Sequence, residues 1–228
     1  MTMRTLIAIP CMDMVHTIFM KAMLSLERVG DVQYGLSCSS LVYDARNGLA
    51  KKAVDEGFDR ILWLDSDMDF QPDLMKCLSA DLDEGRDFVA GLYFKRKAPI
   101  TPVVYSEVGY WKDEDNVIPF AMPYHDYPKD SVFEIKGTGF GACMMTTEMV
   151  KKVMEQGGMP FSPMIGLGED LSFCVRALQA GYKLYCDSRI KLGHVGVGVI
   201  TEDTYITTGG EKDAGKSEEG APDSNRCV

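Results

Sequence analysis

Three carboxylates alternate along Leu64-Asp65-Ser66-Asp67-Met68-Asp69. Two carboxylates at i and i+2 on an irregular turn can converge on one hard divalent cation and the phosphates it carries. The same residues also suit an ordinary turn, because aspartate bonds readily to nearby backbone. A second acidic pair, Glu169-Asp170, follows Gly168 at the mouth of a helical stretch. One of these carboxylates can act as general base for an attacking hydroxyl; equally, acidic residues favour the positive end of any helix. His194 stands between Gly193 and Gly196, where glycine allows close backbone approach. It is either a ligand or a structural histidine. In Asp44-Ala45-Arg46-Asn47, Asp44 suits a helix N-cap, and the fork of Arg46 suits a phosphate or a base.

These residues need elements to hold them. Residues 5–9 form a short apolar run closed by Pro10, residues 32–37 a second strand, and residues 60–64 a buried strand running straight into Asp65. Helical patterns cover residues 15–29, stopped by Gly30, and residues 44–56, stopped by Gly57. Pro72 is expected to open a helix reaching about residue 84, followed by a strand over 88–94. Alternating strands and helices predict a mostly parallel sheet with helices on both faces, and ligands in such sheets bind beyond the carboxyl ends of the strands. Residues 95–136 carry five prolines and no helical period, so short strands and long loops are expected there. Later come a strand over 141–146, a helix over 147–155, and a helix whose apolar face is Leu171, Cys174, Val175 and Leu178, stopped by Gly181. Two short strands are expected at 182–186 and 189–192. Trp63 falls in the buried strand and reads as core.

Composition narrows the partners. The chain has 228 residues, 46% of them hydrophobic and 25% charged, enough for one core without disulfides. Its 34 acidic and 24 basic residues give a formal charge of -10, which disfavours a broad nucleic-acid-binding surface. The seven cysteines are odd in number and lack zinc-site spacing, which favours a reducing, cytoplasmic setting. No apolar run approaches the ~18–20 residues of a membrane span. The apolar start is interrupted by Pro10, Asp13 and His16 and reads as a buried strand, not a leader. From Thr201 onward seven acidic and three basic residues dominate a stretch too polar to bury a core. The expected division is a catalytic body over 1–200 and a disordered or lid-forming tail over 201–228.

Order and spacing say more than any single motif. The runs AIPCMD, ARNGLAKKAVDEGFDRILWLDSDMDF, GTGFGACMM and GEDLSFCVRALQAGYKLYCDSRIKLGHVG occur in that order over most of residues 4–198. In this the chain resembles the GT-A-fold glycosyltransferases, in particular family 2-like enzymes that use nucleotide-diphosphate sugars. The resemblance implies a Rossmann-like α/β domain with a mostly parallel central sheet.

It also implies roles. Pro10, Cys11 and Asp13 would lie near the nucleobase, Arg46 near the nucleotide, and Asp65 and Ser66 on its ribose side, with Asp65 reaching the metal. Asp67 and His194 would hold Mn2+ or Mg2+ bridging the diphosphate; such a mixed oxygen and imidazole set suits those ions better than zinc. Asp170 would be the catalytic base, with Glu169 beside it. Gly139, within GTGFG, would help wall the sugar and acceptor site. Trp111 is a candidate for stacking on a sugar, or a packing residue. The Lys95-Arg96-Lys97 cluster reads as a solvated turn in preference to an acceptor-phosphate site. The expected reaction moves a sugar, by default from a uridine diphosphate donor, to an acceptor hydroxyl with inversion. The acceptor is a glycan, a small molecule or a modified nucleic-acid base. Two other readings stand beside it: a non-catalytic nucleotide- or glycan-binding module of the same fold, and a sugar nucleotidyltransferase.

Overall fold

A computed structural model of the chain describes residues 2–113, 116–196 and 199–207. In chain order the elements are β1 (Arg4–Cys11), α1 (Thr17–Ser25), β2 (Asp31–Cys38), α2 (Val42–Asp55), β3 (Arg60–Leu64), β4 (Met68–Asp69), α3 (Leu74–Asp83) and β5 (Phe88–Leu92). Next come β6 (Val104–Asp113), β7 (Asn116–Pro123), β8 (Val132–Ile135), β9 (Gly137–Thr138), β10 (Ala142–Thr146), α4 (Thr147–Gly157) and α5 (Glu169–Gln179). The last are β11 (Leu184–Lys191), β12 (Gly193–Val195), β13 (Val199–Ile200) and α6 (Glu202–Thr207).

A seven-stranded sheet in the order β2-β1-β3-β10-β5-β11-β8 forms the centre. It is mostly parallel: β2, β1, β3, β5 and β11 run one way, while β10 and the edge strand β8 are reversed. Strand period divides the core into two layers. Leu6, Ala8, Ile61 and Trp63 face α2, α4 and α5. Ile7, Ile9, Leu62 and Leu64 face α1 and α3. Burial on both faces is why β3 reads as an unbroken apolar run after Arg60. Trp63 is wholly buried, as its place in that run predicts.

Two of the three glycine stops hold; α1 ends at Ser25 with Leu26 as its cap, short of Gly30. Gly57 and Gly181 end α2 and α5 with φ of +67° and +88°, a region glycine enters without a Cβ penalty. Several local expectations need correction. Asp44 sits in the first turn of α2, not at its cap, because the helix already begins at Val42. Pro72 precedes α3, and Asp73 takes the N-cap position. The buried face of α5 centres on Phe173, Cys174 and Ala177, since Phe173 stacks on Phe161 at 4.7 Å and rotates that face inward. The two short strands expected after Gly181 are one strand, β11, with a register break between Asp187 and Lys191. The proline-rich middle is not mainly loop: β6 and β7 pair as a long antiparallel hairpin in a separate sheet with β9. Proline is tolerated there because the hairpin leaves β7 as an edge strand.

Residues 202–207, expected within a polar tail, form α6. Tyr205 stacks on Phe94 at 4.5 Å, and Tyr127 Oη donates to Glu202 Oε1 at 2.7 Å. The rest of that stretch, 208–228, lies outside the described residues. Among the described residues no helix is long and apolar enough to cross a membrane.

Candidate functional site

The carboxyl ends of β1, β2 and β3 open together because the three strands are parallel and in register. Beyond them lies a cavity of about 400 Å³. Pro10, Cys11 and Met12 reach it from β1, Ser39 and Ser40 from β2, and Asp65, Ser66 and Asp67 from β3. Val42, Arg46, Arg96 and Glu169 complete the wall.

Arg46 ties the motifs together. Its side chain is 2% exposed, yet it donates to Asp65 Oδ1 at 2.8 Å and to Glu169 Oε1 at 3.3 Å. The guanidinium also lies over the rings of Phe140 and Trp63, at 5.4 and 5.7 Å. Burial disfavours its charge, but Asp65, Glu169 and Asp170 outweigh burial and hold the cation above its ordinary value. The partners respond differently. Burial pushes the Asp65 carboxyl up despite Arg46 beside it. Asp170 is pushed up to about 6, by burial and then by the neighbouring Glu169 charge. Asn47, next to Arg46, accepts from the Phe161 backbone N–H at 2.9 Å, which ties α2 to the segment leading into α5.

The turn after β3 is held by backbone. Asp65 N–H donates to Gly141 at 2.9 Å, Met68 N–H to Asp65 at 3.2 Å, and His16 N–H to Ser66 at 2.9 Å. The short strand β4 then pairs antiparallel with β12, setting His194 opposite Met68. That pairing, across 126 residues of chain, brings His194 Nε2 within 3.6 Å of Asp67 Oδ2. His194 Nδ1 lies 2.9 Å from the Phe94 carbonyl. A carbonyl has no proton to give, so Nδ1 carries a hydrogen and Nε2 is the ring nitrogen that faces Asp67. Arg96 Nη1 meets the same Asp67 carboxylate and donates to the Val195 carbonyl at 3.1 Å. Burial disfavours the charge of Asp67, but His194 and Arg96 prevail and hold its carboxyl below the ordinary range. Residues 95–97 are exposed, as expected of a solvated turn, but the Arg96 guanidinium also folds back onto Asp67.

The Asp67 carboxylate on the cavity wall and the His194 imidazole beside it, once Nε2 holds no proton, suit a divalent cation whose other ligands come from a substrate. Three carboxylates and two guanidiniums line the pocket, so a dianionic diphosphate would need added positive charge there. Among the described residues no group of three or more His, Cys, Asp or Glu is gathered for a metal; Asp65 is turned to Arg46 instead of joining Asp67 and His194.

The other predicted residues lie as follows. Asp170 is on the first turn of α5, where its Oδ1 accepts from Leu171 N–H at 2.7 Å. Tyr105 is its neighbour: burial and the Asp170 charge push that phenol up to about 12. Gly139 packs so tightly that an added Cβ would lie 2.0 Å from Tyr93 Oη. Tyr93 Oη in turn accepts from Gly141 N–H at 3.3 Å. Asp13 is exposed in the loop after β1, outside the cavity wall. Trp111 is 56% exposed and stacks on Phe120 at 4.5 Å, also outside that wall. Its hairpin leans on the segment before α5 through Tyr110 Oη, which donates to the Ile165 carbonyl at 3.0 Å.

Ser39, Ser40 and Arg96 were not among the residues expected at the nucleotide. The serines follow directly from the strand-end rule, since β2 is parallel to β1 and ends beside it. Cys38, in register with Cys11, places its Sγ 3.4 Å from Cys11 Sγ.

No protein-family model matches the sequence, and no curated protein does. A crystal structure of A197 from STIV is similar over 85% of this chain and 86% of that one, with a TM-score of 0.61 and 20% identity. GalNAc-T7 with UDP, GalNAc and Mn2+ is similar over 73% of this chain and 33% of that one, with a TM-score of 0.49 and 16% identity. The first likeness shows a shared fold; the second is too distant to argue from. The chain thus has an α/β fold with a mostly parallel central sheet, shared with A197 and consistent with the Rossmann-like GT-A architecture.

Proposed function

We propose that the chain is a metal-dependent inverting glycosyltransferase of the GT-A type. It takes a sugar from a nucleoside-diphosphate donor, with uridine the default base, and passes it to an acceptor hydroxyl. The observation that carries this reading is Arg46. One buried guanidinium joins Asp65 of the alternating carboxylates to Glu169 of the acidic pair, in a cavity at the ends of parallel strands.

Each residue then has a task. Pro10, Cys11, Ser39 and Ser40 wall the nucleoside end, and Ser66 and Asp65 face its ribose. Asp67 and His194 would hold Mn2+ or Mg2+, and when bound that cation supplies Lewis-acid stabilisation of the departing diphosphate. Asp170 takes the proton of the acceptor hydroxyl as its oxygen attacks the anomeric carbon. A carboxyl raised to about 6 suits that role, because it is ionised at neutral pH yet basic enough to accept the proton. Glu169 keeps Arg46 in place and so fixes the turn into α5. Gly139 leaves room beside Tyr93, and the β6–β7 hairpin carrying Tyr105 and Trp111 fronts the acceptor side. The reading sets the chain in the cytoplasm.

A thermal-shift screen of nucleotide sugars with and without Mn2+ tests the reading. A donor should stabilise the protein only with the ion, and Asp67→Ala should abolish that dependence. If no nucleotide sugar is bound with any divalent ion, the reading fails. Saturable binding without turnover would instead favour a non-catalytic module.

A further inference from the structure

Arg96 has a place that the donor-site reading does not yet use. It lies just past β5, and its side chain is 44% exposed while reaching inward to Asp67, which is 28% exposed. Its Nη1 serves both Asp67 and the Val195 carbonyl. Among the described residues Nη2 and Nε make no hydrogen bond, and Arg96 lines the cavity wall. The stem lies flat on Gly196: a Cβ there would stand 3.0, 3.2 and 3.4 Å from Arg96 Cβ, Cδ and Cγ. Glycine at that position is what lets the side chain fold back.

Arg46 cannot do the same work. It is buried and committed to two carboxylates, so it has no fork to offer a phosphate. Arg96 is the other guanidinium on the wall, and a guanidinium fork matches phosphate oxygens in pairs. A carboxylate that serves a divalent cation cannot at the same time hold a guanidinium on the same oxygen, since like charges exclude each other at that distance.

We propose, resting on the donor-site reading above, that Arg96 competes with the divalent cation for Asp67 and, once displaced, binds the donor's diphosphate. The side chain thus keeps Asp67 neutralised in the resting site. It then moves the same charge to the phosphates when the ion takes the carboxylate. Two effects of opposite sign follow, which loss of packing alone would not produce.

Arg96→Met should tighten Mn2+ binding without nucleotide by about two- to fivefold, the range an ion pair this exposed is worth. It should weaken the tightest binder among uridine, guanosine, adenosine, cytidine and thymidine diphosphates by roughly tenfold at saturating Mn2+. Mn2+ is read by electron paramagnetic resonance and nucleotide by calorimetry, so neither measure depends on turnover. Arg96→Lys should recover part of the nucleotide affinity. Gly196→Ala, which lifts the stem but keeps the guanidinium, should tighten Mn2+ without the tenfold nucleotide loss. Unchanged or weaker Mn2+ binding in Arg96→Met overturns the competition, and unchanged nucleotide affinity overturns the phosphate role. If wild type binds neither Mn2+ nor any of the five diphosphates, or if Asp67→Ala leaves Mn2+ binding intact, the donor-site reading itself is wrong and this inference falls with it.

Discussion

Replacing the proposed base, Asp170, should stabilise the fold. Asp170 titrates at about 6 in the folded protein, because burial and Glu169 both resist its charge. In an unfolded chain an aspartate titrates near 3.9. Between those values the folded protein binds the extra proton, so wild type loses stability as pH rises from about 4 to 6 and carries the full cost above that. The gap corresponds to about 2–3 kcal/mol at pH 7.5 and about half that at pH 5. Asp170→Asn removes the charge but keeps an oxygen to accept from Leu171 N–H. It should therefore raise the melting temperature at pH 7.5 by roughly 4–10 °C for a chain of this size. The gain should shrink by about half at pH 5. Urea unfolding at the two pH values, with circular dichroism, supplies the free energies. The reasoning is refuted if the variant is no more stable than wild type at pH 7.5, or if its advantage is the same at pH 5. A stabilised protein with lost transfer would mark Asp170 as a residue kept for chemistry at the expense of the fold.

Other outcomes follow from the same geometry. Transfer should show an acidic limb in kcat/KM at about pH 6, falling as pH drops because Asp170 must be ionised to accept a proton; a flat profile from pH 5 to 8 would remove it as the base. Arg46→Met should cost about 3–5 kcal/mol in urea unfolding, because it leaves Asp65 and Glu169 without their buried counter-charge. A loss under about 1 kcal/mol would contradict that bridge. Gly139→Ala should cost about 1–3 kcal/mol through its clash with Tyr93 Oη, and adding Tyr93→Phe should recover part of the loss. Strictly additive costs in that cycle would show that the two residues do not touch.

The site was legible where it rests on strand ends and helix starts. Asp65 could be placed because residues 61–64 are apolar at every position, which needs burial on both faces and leaves the next residue at the rim. Arg46 could be placed near the nucleotide, but not its burial. The two carboxylates that neutralise it come from Asp65 and Glu169, 19 and 123 residues away. The contact of Arg96 with Asp67 was not legible, because a run of three basic residues usually faces water, as this one largely does, and only the β4–β12 pairing brings Asp67 and Val195 within its reach. The hairpin was misread for a related reason. Five prolines argue against central strands, yet the edge strand β7 tolerates Pro119 and Pro123, and the other three fall outside the hairpin. Residues 202–207 have few apolar side chains, and their order comes from Tyr205 meeting Phe94 across the fold, a contact no local pattern announces.

The central claim is that a sugar leaves a nucleoside diphosphate in this pocket. The direct measurement is product analysis after incubation with a panel of nucleotide sugars and Mn2+. The expected result is slow release of nucleoside diphosphate and free sugar, with water as acceptor, abolished by Asp67→Ala and by chelation of the ion. Release of pyrophosphate in its place would point to nucleotidyl transfer, and no product from any donor with any divalent ion would contradict the claim.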